Sequence, residues 1–456
     1  MRRKFLGFGF ILMMCVSIFA QEPPLTLEQC IQIALQNNAT ILTNQNFNRS
    51  AESDVTESYS GILPNASISA RISRFEVGPV EDIIDFPVGV DSVTGLPKYE
   101  SRKYIQEGFT RNSNSLSFQV FQNIFDGGEW WQAISYANSQ KRASDLNLQS
   151  VIENTVFTVQ ERFFDLLKQQ KLLEVNEQAV GRSRDQLEKT EKMYELGAVA
   201  KVDVFRSRVN LGNDRTQMLL QKNAVITAKN NLNLALGFSP ETSVKIRPEL
   251  SLQPAINNPE ELVQTALANN PALLEAEEQI NSSDIIISRS YAVLYPNLSA
   301  FFNYQRQNED LSLVYSKYDQ NWNISYGLTM SVNLFNGFRD MVNIQKSKLN
   351  ERNTMISYEQ TKRELSASVL QLVDNYNSYL EIIEINEENL EAAKEEFRLA
   401  EERYRIGSGT QLEVREAQVN LTRAEQTLVA AQYNARITQS QLEQFLGNIL
   451  KSYEED

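Results

Sequence analysis

The stretch from Glu129 to Leu196, EWWQAISYANSQ…EKMYEL, holds no proline and one glycine, Gly181, so nothing in it stops a helix. At the rise of an α-helix it makes a rod of roughly 100 Å, several times the width of an ordinary domain. Few globular architectures can use one. A second run, Phe338 to Ile406 (FRDMVNIQKSKL…EERYRI), answers the first and contains neither proline nor glycine. Each run is bracketed by glycines 70 residues apart, Gly127 and Gly197 in one case, Gly337 and Gly407 in the other. The chain is built twice, and duplicated halves sharing such helices predict one elongated body rather than separate domains.

Other landmarks repeat at fixed offsets. Ala34-Leu35-x-Asn37-Asn38 returns as Ala266-Leu267-x-Asn269-Asn270, and Pro64-Asn65 returns as Pro296-Asn297, all displaced by 232 residues. Before each Pro-Asn the pattern is helical, with Thr26 the expected N-cap of a helix running to about Leu63. After the long helices the chain returns as Val202–Leu236 and Leu412–Leu446, each closing on Leu-Gly (Gly237, Gly447). Ala417, Leu421, Ala424, Leu428, Ala431, Ala435, Thr438, Leu442 and Phe445 alternate in steps of four and three, the spacing of a coiled-coil seam.

After each Pro-Asn the period changes to two. Ile68, Ala70 and Ile72 alternate with serines and Arg71; Leu116, Phe118 and Val120 with Ser117 and Gln119; Leu298, Ala300, Phe302 and Tyr304 with Ser299, Asn303 and others. In WNISYGLTMSVNLF every second residue from Trp322 to Leu334 is apolar or aromatic. These read as four strands long enough to cross a bilayer when tilted. Turn-rich segments, Val77–Arg111 and Asn308–Asn321, read as loops between them. The extra length of the first explains why the repeat offset falls to 210 beyond it, Phe125-Asp126-Gly127 against Phe335-Asn336-Gly337.

The apolar face of such strands has two outlets, burial against helices in water or exposure to lipid with the polar face lining a wet lumen. Trp130, Trp131, Tyr295 and Phe338 stand at the strand–helix junctions, where an interfacial aromatic belt would lie. A sheet in lipid tolerates no open edge, and four strands cannot close alone. Two copies would give a barrel filled by side chains, three an open one.

The first residues, MRRKFLGFGFILMMCVSIFA, carry a basic start and an apolar run, which reads as a signal peptide over 1–20, with a lipid-attached Cys15 as the rival reading. No other stretch is apolar enough for a helical span. Loss of Arg2, Arg3 and Lys4 takes the formal charge from −14 to −17, so nucleic acid is not an expected partner. One cysteine, Cys30, then remains, and His is absent, which removes disulfides and the commonest metal ligand and general base. No enzyme, cofactor or metal site is expected. The division reads as signal peptide 1–20, first repeat 21–236, linker 237–258, second repeat 259–447 and acidic tail 448–456.

Helix, Pro-Asn, strand, loop, strand, Gly, long helix, Gly tip and returning helix, performed twice, resembles the TolC-like outer-membrane efflux proteins. The likeness spans the mature chain. Ala266–Ile280 resembles that family's entry motif, and LGAVAKVDV (Leu196–Val204) and IGSGTQLEVREA (Ile406–Ala417) its two helix-turn-helix tips. The resemblance implies a mostly α fold with a small β part: a homotrimer whose twelve-stranded outer-membrane β-barrel is continued by a periplasmic α-helical barrel. It implies a Gram-negative outer membrane, contact with its lipid, and a large periplasmic extension. It also implies a passive exit duct for efflux or type I secretion, fed by a periplasmic adaptor (membrane fusion) protein and an inner-membrane transporter of RND, ABC or MFS type. A periplasmic coiled-coil scaffold that transports nothing is the competing reading.

The resemblance also assigns sites. Glu413 and Glu416, three apart on the returning helix, match acidic positions that line the entrance and would form two carboxylate rings under threefold symmetry. Carboxylates also simply suit a helix N-terminus. Asp203 and Tyr404 match an entrance latch in which a tyrosine hydroxyl bonds an aspartate, although a helix cap and a packed seam residue would look the same. Gly409 stands where a latch arginine is expected, and Val202 where a hydroxyl residue is. Leu196, Gly197, Ala198, Ile406, Gly407 and Ser408 are the expected adaptor-docking tips.

Overall fold

The computed structural model describes residues 24–248 and 250–450. The expected signal peptide lies outside them, as does the acidic tail beyond residue 450. The helices are α1 (Leu27–Asn37), α2 (Ala39–Ser58), α3 (Glu129–Glu195), α4 (Lys201–Ala235), α5 (Pro259–Asn269), α6 (Pro271–Tyr291), α7 (Leu311–Tyr315), α8 (Arg339–Arg405) and α9 (Gln411–Phe445). The strands are β1 (Asn65–Val77), β2 (Val80–Val90), β3 (Pro97–Gln106), β4 (Phe109–Asp126), β5 (Asn297–Asn308) and β6 (Trp322–Ser331). Both long helices have 67 residues and both returning helices 35, so the duplication of sequence is a duplication of structure.

The described residues cluster into two units, one of residues 24–46, 146–274 and 360–450, the other of Phe47–Asp145 and Glu275–Glu359. The first is all-helical apart from a single bridge, Leu25 with Ile246. Its core gathers Leu27, Cys30 and Ile31 of α1, Val159, Phe163 and Leu167 of α3, Leu232 of α4 and Tyr433 of α9. Phe163 and Phe164 meet edge to face with centroids 5.6 Å apart.

The N-terminal helix is not continuous as its sequence suggests. Thr26 does cap it, with Gln29 completing a capping box, but the chain turns extended at Asn38 (ψ 122°) before α2. Asn270 makes the same break (ψ 117°) before Pro271. The reason lies in the partner helix. Asn38 Nδ2 donates to the carbonyl of Ala235 at 2.9 Å and Asn270 Nδ2 to that of Phe445 at 3.1 Å, satisfying carbonyls that a helix end leaves free. The glycine stops of the returning helices close on the same points. A Cβ on Gly237 would lie 2.5 Å from the Asn37 oxygen and one on Gly447 2.6 Å from the Asn269 oxygen, so no side chain fits at either. The segment after Gly237 is irregular yet pinned: Asn233 donates to the carbonyls of Pro240 and Thr242, and Asn377 brackets Ile256.

The second unit carries an antiparallel sheet in the order β1-β4-β5-β6. Its register lines up like with like. Ile68, Phe118, Tyr304 and Ile324 form one row across all four strands, and Ser67, Gln119, Asn303 and Ser325 form the next, facing the other way. One face is therefore mainly apolar, with Arg306, Asn114 and Asn308 among its polar exceptions, and the other mainly Ser, Gln and Asn, with Phe121 and Phe301 among them. Ile68, Ile72, Tyr326, Leu328 and Met330 lie exposed on the apolar face, and no strand of the described chain covers the outer edges of β1 and β6.

Two expected loops hold structure. Residues 77–111 form a second hairpin, β2 with β3, and the Asn308–Asn321 segment folds into α7 around Arg306. That arginine is 1% exposed, donates to the carbonyls of Leu313, Ser316 and Lys317, and lies 4.9 Å from the Tyr318 ring. The last strand is shorter than its alternation, ending at Ser331 rather than Leu334.

Candidate functional site

The two helix-turn-helix tips, both in the helical unit, are built alike. At the first, Gly197 N donates to Tyr194 O and Ala198 N to Met193 O; at the second, Gly407 N donates to Tyr404 O and Ser408 N to Arg403 O. These are Schellman turns, which need a left-handed residue after the helix. Gly197 (φ 73°) and Gly407 (φ 79°) supply it. The turns leave Leu196 (84%) and Ile406 (69%) in solvent, with Ala198 and Ser408 exposed beside them. Both apolar tip residues are therefore uncovered within the chain. A cleft of about 500 Å³ opens next to them between α3 and α8, lined by Lys189, Lys192, Met193, Arg398 and Glu401 among others.

Beyond the second tip, Thr410 caps α9 by accepting from Glu413 N at 3.2 Å. The Glu413 carboxylate lies 3.4 Å from the Arg403 guanidinium, so its charge is partly compensated within the chain. Glu416 is exposed. The expected hydrogen bond between Tyr404 and Asp203 is not made. Asp203 pairs with Arg206 one turn along its own helix, and the buried Tyr404 hydroxyl lies 3.4 Å from Thr190 Oγ1. Gly409 N donates to Arg403 O, and a Cβ there would come within 3.0 Å of Arg403 Cβ, which leaves a latch side chain little room.

What ties the helices together near the tips went unread in the sequence. Ser207 of α4 donates to Thr190 of α3 at 3.4 Å, and Gln411 of α9 donates to Ser207, so Tyr404 sits in a polar knot of four helices. Further along, Arg415 grips Asp214 with two bonds of 2.7 and 2.9 Å, and Ser183 donates to the same carboxylate. Arg182 likewise holds Glu425 at 2.9 Å and Thr422 at 3.0 Å. Both ion pairs are largely buried, with side-chain exposures of 21 and 15% for the first and 17 and 15% for the second. Such bidentate arginine pairs fix geometry as well as energy. Their partners lie 201 and 243 residues apart, too far for any local pattern to reveal.

In the sheet unit, the strand–helix junctions carry the four aromatics. Trp131, Tyr295 and Phe338 are exposed; Trp130 is half-buried and stacks on Trp131 at 4.2 Å, and Phe338 meets Phe335 edge to face at 5.4 Å. Asp126 receives the Trp130 backbone N–H and Asn336 that of Asp340, each starting its long helix in the same way.

Comparison with known proteins agrees with this architecture. The family model described as outer membrane efflux protein matches residues 30–238 and 262–448. The probable efflux pump outer membrane protein TtgC of Pseudomonas putida is 22% identical over 315 residues, 69% of this chain and 63% of that protein. The match thus spans less than two thirds of TtgC. The outer membrane protein TolC of Escherichia coli is 22% identical over 373 residues, 75% of this chain and 71% of TolC. Among solved structures, CusC superposes with a TM-score of 0.76 at 17% identity, covering 92% of each chain. VceC of Vibrio cholerae superposes with 0.74 at 16% identity, covering 92% of this chain and 96% of its own. At those identities the likeness is one of fold. With its family model matched over both halves, the chain belongs to the outer membrane efflux protein family.

Proposed function

We propose that this chain forms a homotrimeric exit duct in the outer membrane of a Gram-negative cell, passively conducting cargo that a periplasmic adaptor and an inner-membrane pump hand over. The observation that carries the reading is the sheet of β1, β4, β5 and β6: apolar rows on one side, polar rows on the other, and two uncovered edges. In lipid such edges must be paired, and three four-stranded sheets close as a twelve-stranded barrel with an open lumen. The aromatics Trp131, Tyr295 and Phe338 would then lie at the membrane interface. The repeats 21–236 and 259–447 each contribute one strand hairpin and one helix hairpin to that body, joined by 237–258. TtgC and TolC, named as efflux and outer-membrane proteins, support the assignment.

At the helical end, Glu416 and Glu413 would ring the entrance, and the exposed Leu196 and Ile406 turns would meet the adaptor. The pairing of Glu413 with Arg403 makes the two rings unequal. In planar bilayers the purified trimer is expected to favour cations, with Glu416→Gln lowering that preference more than Glu413→Gln. Selectivity unchanged in the double variant would remove the ring assignment. A monomer by light scattering in detergent would remove the barrel.

A further inference from the structure

The β2–β3 hairpin stands apart from the four-stranded sheet, and every residue of both strands is exposed. It is nonetheless well formed. Its turn is closed by Asp91, whose carboxylate accepts from Val93 N and Thr94 N while its backbone N–H donates to Leu96 O. Its departure from the sheet is tight too, since a Cβ on Gly108 would lie 2.4 Å from the Val77 carbonyl oxygen. Yet both sides carry large apolar groups: Ile83, Tyr99 and Ile105 on one, Val80, Ile84, Phe86 and Tyr104 on the other. A two-stranded ribbon wet on both faces is marginal by itself, so a partner is called for.

Charge identifies the partner. β2 carries Glu81, Asp82 and Asp85 and no cation; β3 carries Lys98, Arg102 and Lys103 against one Glu100. The register sets the acidic stretch 81–85 level with 101–105, which holds Arg102 and Lys103. Copies related by rotation about an axis along the strands keep every residue at its own height. An acidic β2 edge therefore meets the basic β3 edge of the next copy without slippage, in a head-to-tail contact that a ring closes. We propose that this hairpin is a self-docking arm: β2 of one copy packs beside β3 of its neighbour, and three arms form a collar at the outer end of the barrel. The proposal rests on the trimeric reading above.

The test uses two differently tagged full-length chains co-expressed, each with one introduced cysteine, so that no introduced disulfide can form within a chain. Glu81→Cys and Ile105→Cys stand at the same height, whereas Lys98, opposite Gly89, lies well away along the ribbon. Glu81→Cys removes only an exposed ion pair and Ile105→Cys only an exposed side chain, both small losses. On mild oxidation the Glu81→Cys and Ile105→Cys pair is expected to give about tenfold more mixed disulfide dimer than Glu81→Cys with Lys98→Cys, because disulfides need close Cα atoms. Light scattering in detergent is run on the same samples. A trimer in which the level pair crosslinks no better than the control overturns the arm and leaves the duct standing; a monomer overturns both. Crosslinking of Glu81→Cys to a different protein in place of a second copy also overturns the arm.

Discussion

The helical unit closes a hydrophobic core within one chain, although Leu219, Leu220 and Ile385 stay exposed on it, whereas the sheet unit turns its apolar strand rows outward. In the first, Phe163 and Cys30 are wholly buried, and the charged groups of Arg415, Asp214, Arg182 and Glu425 find partners inside the chain. In the second, Tyr326, Leu328 and Met330 face outward, and the edges of β1 and β6 offer unpaired backbone groups. Both units have ample apolar residues, and the distinction lies in where those residues are sent. Helical spacing turns them toward neighbouring helices, while strict alternation over isolated strands turns them toward whatever surrounds the sheet. The lesson is that stability and assembly are separable here: damage to one unit should register before the chain meets its neighbours, damage to the other only afterwards.

The largest effect expected under that division is at Phe163. Replacing it with Ala should cost about 3–5 kcal/mol through the lost ring and the cavity left behind, measurable as a lower denaturant midpoint for the helical unit whether or not trimers have formed. Leu328→Arg sharpens the contrast from the other side. The side chain is 67% exposed, so the chain itself should fold unchanged; in lipid, a charge near mid-bilayer on a barrel costs about 2–4 kcal/mol. Assembly in vesicles should fall while helix content by circular dichroism holds, and equal loss of both would break the comparison. Third comes Asp214→Ala, which strands Arg415 and should cost about 2–3 kcal/mol, less than a fully buried pair because both groups retain some water. The double variant Asp214→Leu with Arg415→Met should recover most of that. A double variant as weak as the single one would mean the pair acts through packing rather than charge.

Much of the fold could be read without coordinates because its signals are local. Proline-free runs between glycines mark α3 and α8 to within a residue, and alternation marks all four strands of the larger sheet. The hairpin of β2 and β3 was missed because Pro87, Gly89, Gly95 and Pro97 look like loop punctuation, and a ribbon exposed on both faces leaves no hydrophobic pattern. The break at Asn38 escaped for a simpler reason: the second half announces its break with Pro271, whereas Ala39 stands in the matching place. At the tips, likeness to relatives pointed to Tyr404 and Asp203 as partners, but the structure gives each another, Thr190 and Arg206. The Arg415–Asp214 and Arg182–Glu425 pairs depend on helices meeting across 201 and 243 residues, which no window of sequence contains.

Cys30 offers the most specific effect, because it reports on the helical unit alone. Burial pushes its thiol up, with the nearby Glu28 charge adding to the rise, from 9.0 to about 12. Between those values the unfolded chain has released the proton and the native chain keeps it, so the native state binds more protons and stability must fall as pH rises. Below pH 9 the contribution is fully present and flat. Above it the loss should run at about 1.4 kcal/mol per pH unit until the native thiol also ionises. Lysines and tyrosines titrate in the same range, so the measurement is the difference between wild type and Cys30→Ala. The variant should start slightly less stable, lacking the sulfur in a site with no exposure, and then lose less as the pH climbs from 9 to 11. Parallel curves for the two proteins would mean that the unit opens enough to hydrate this position before it unfolds, and the self-contained character assigned to the helical half would have to be given up.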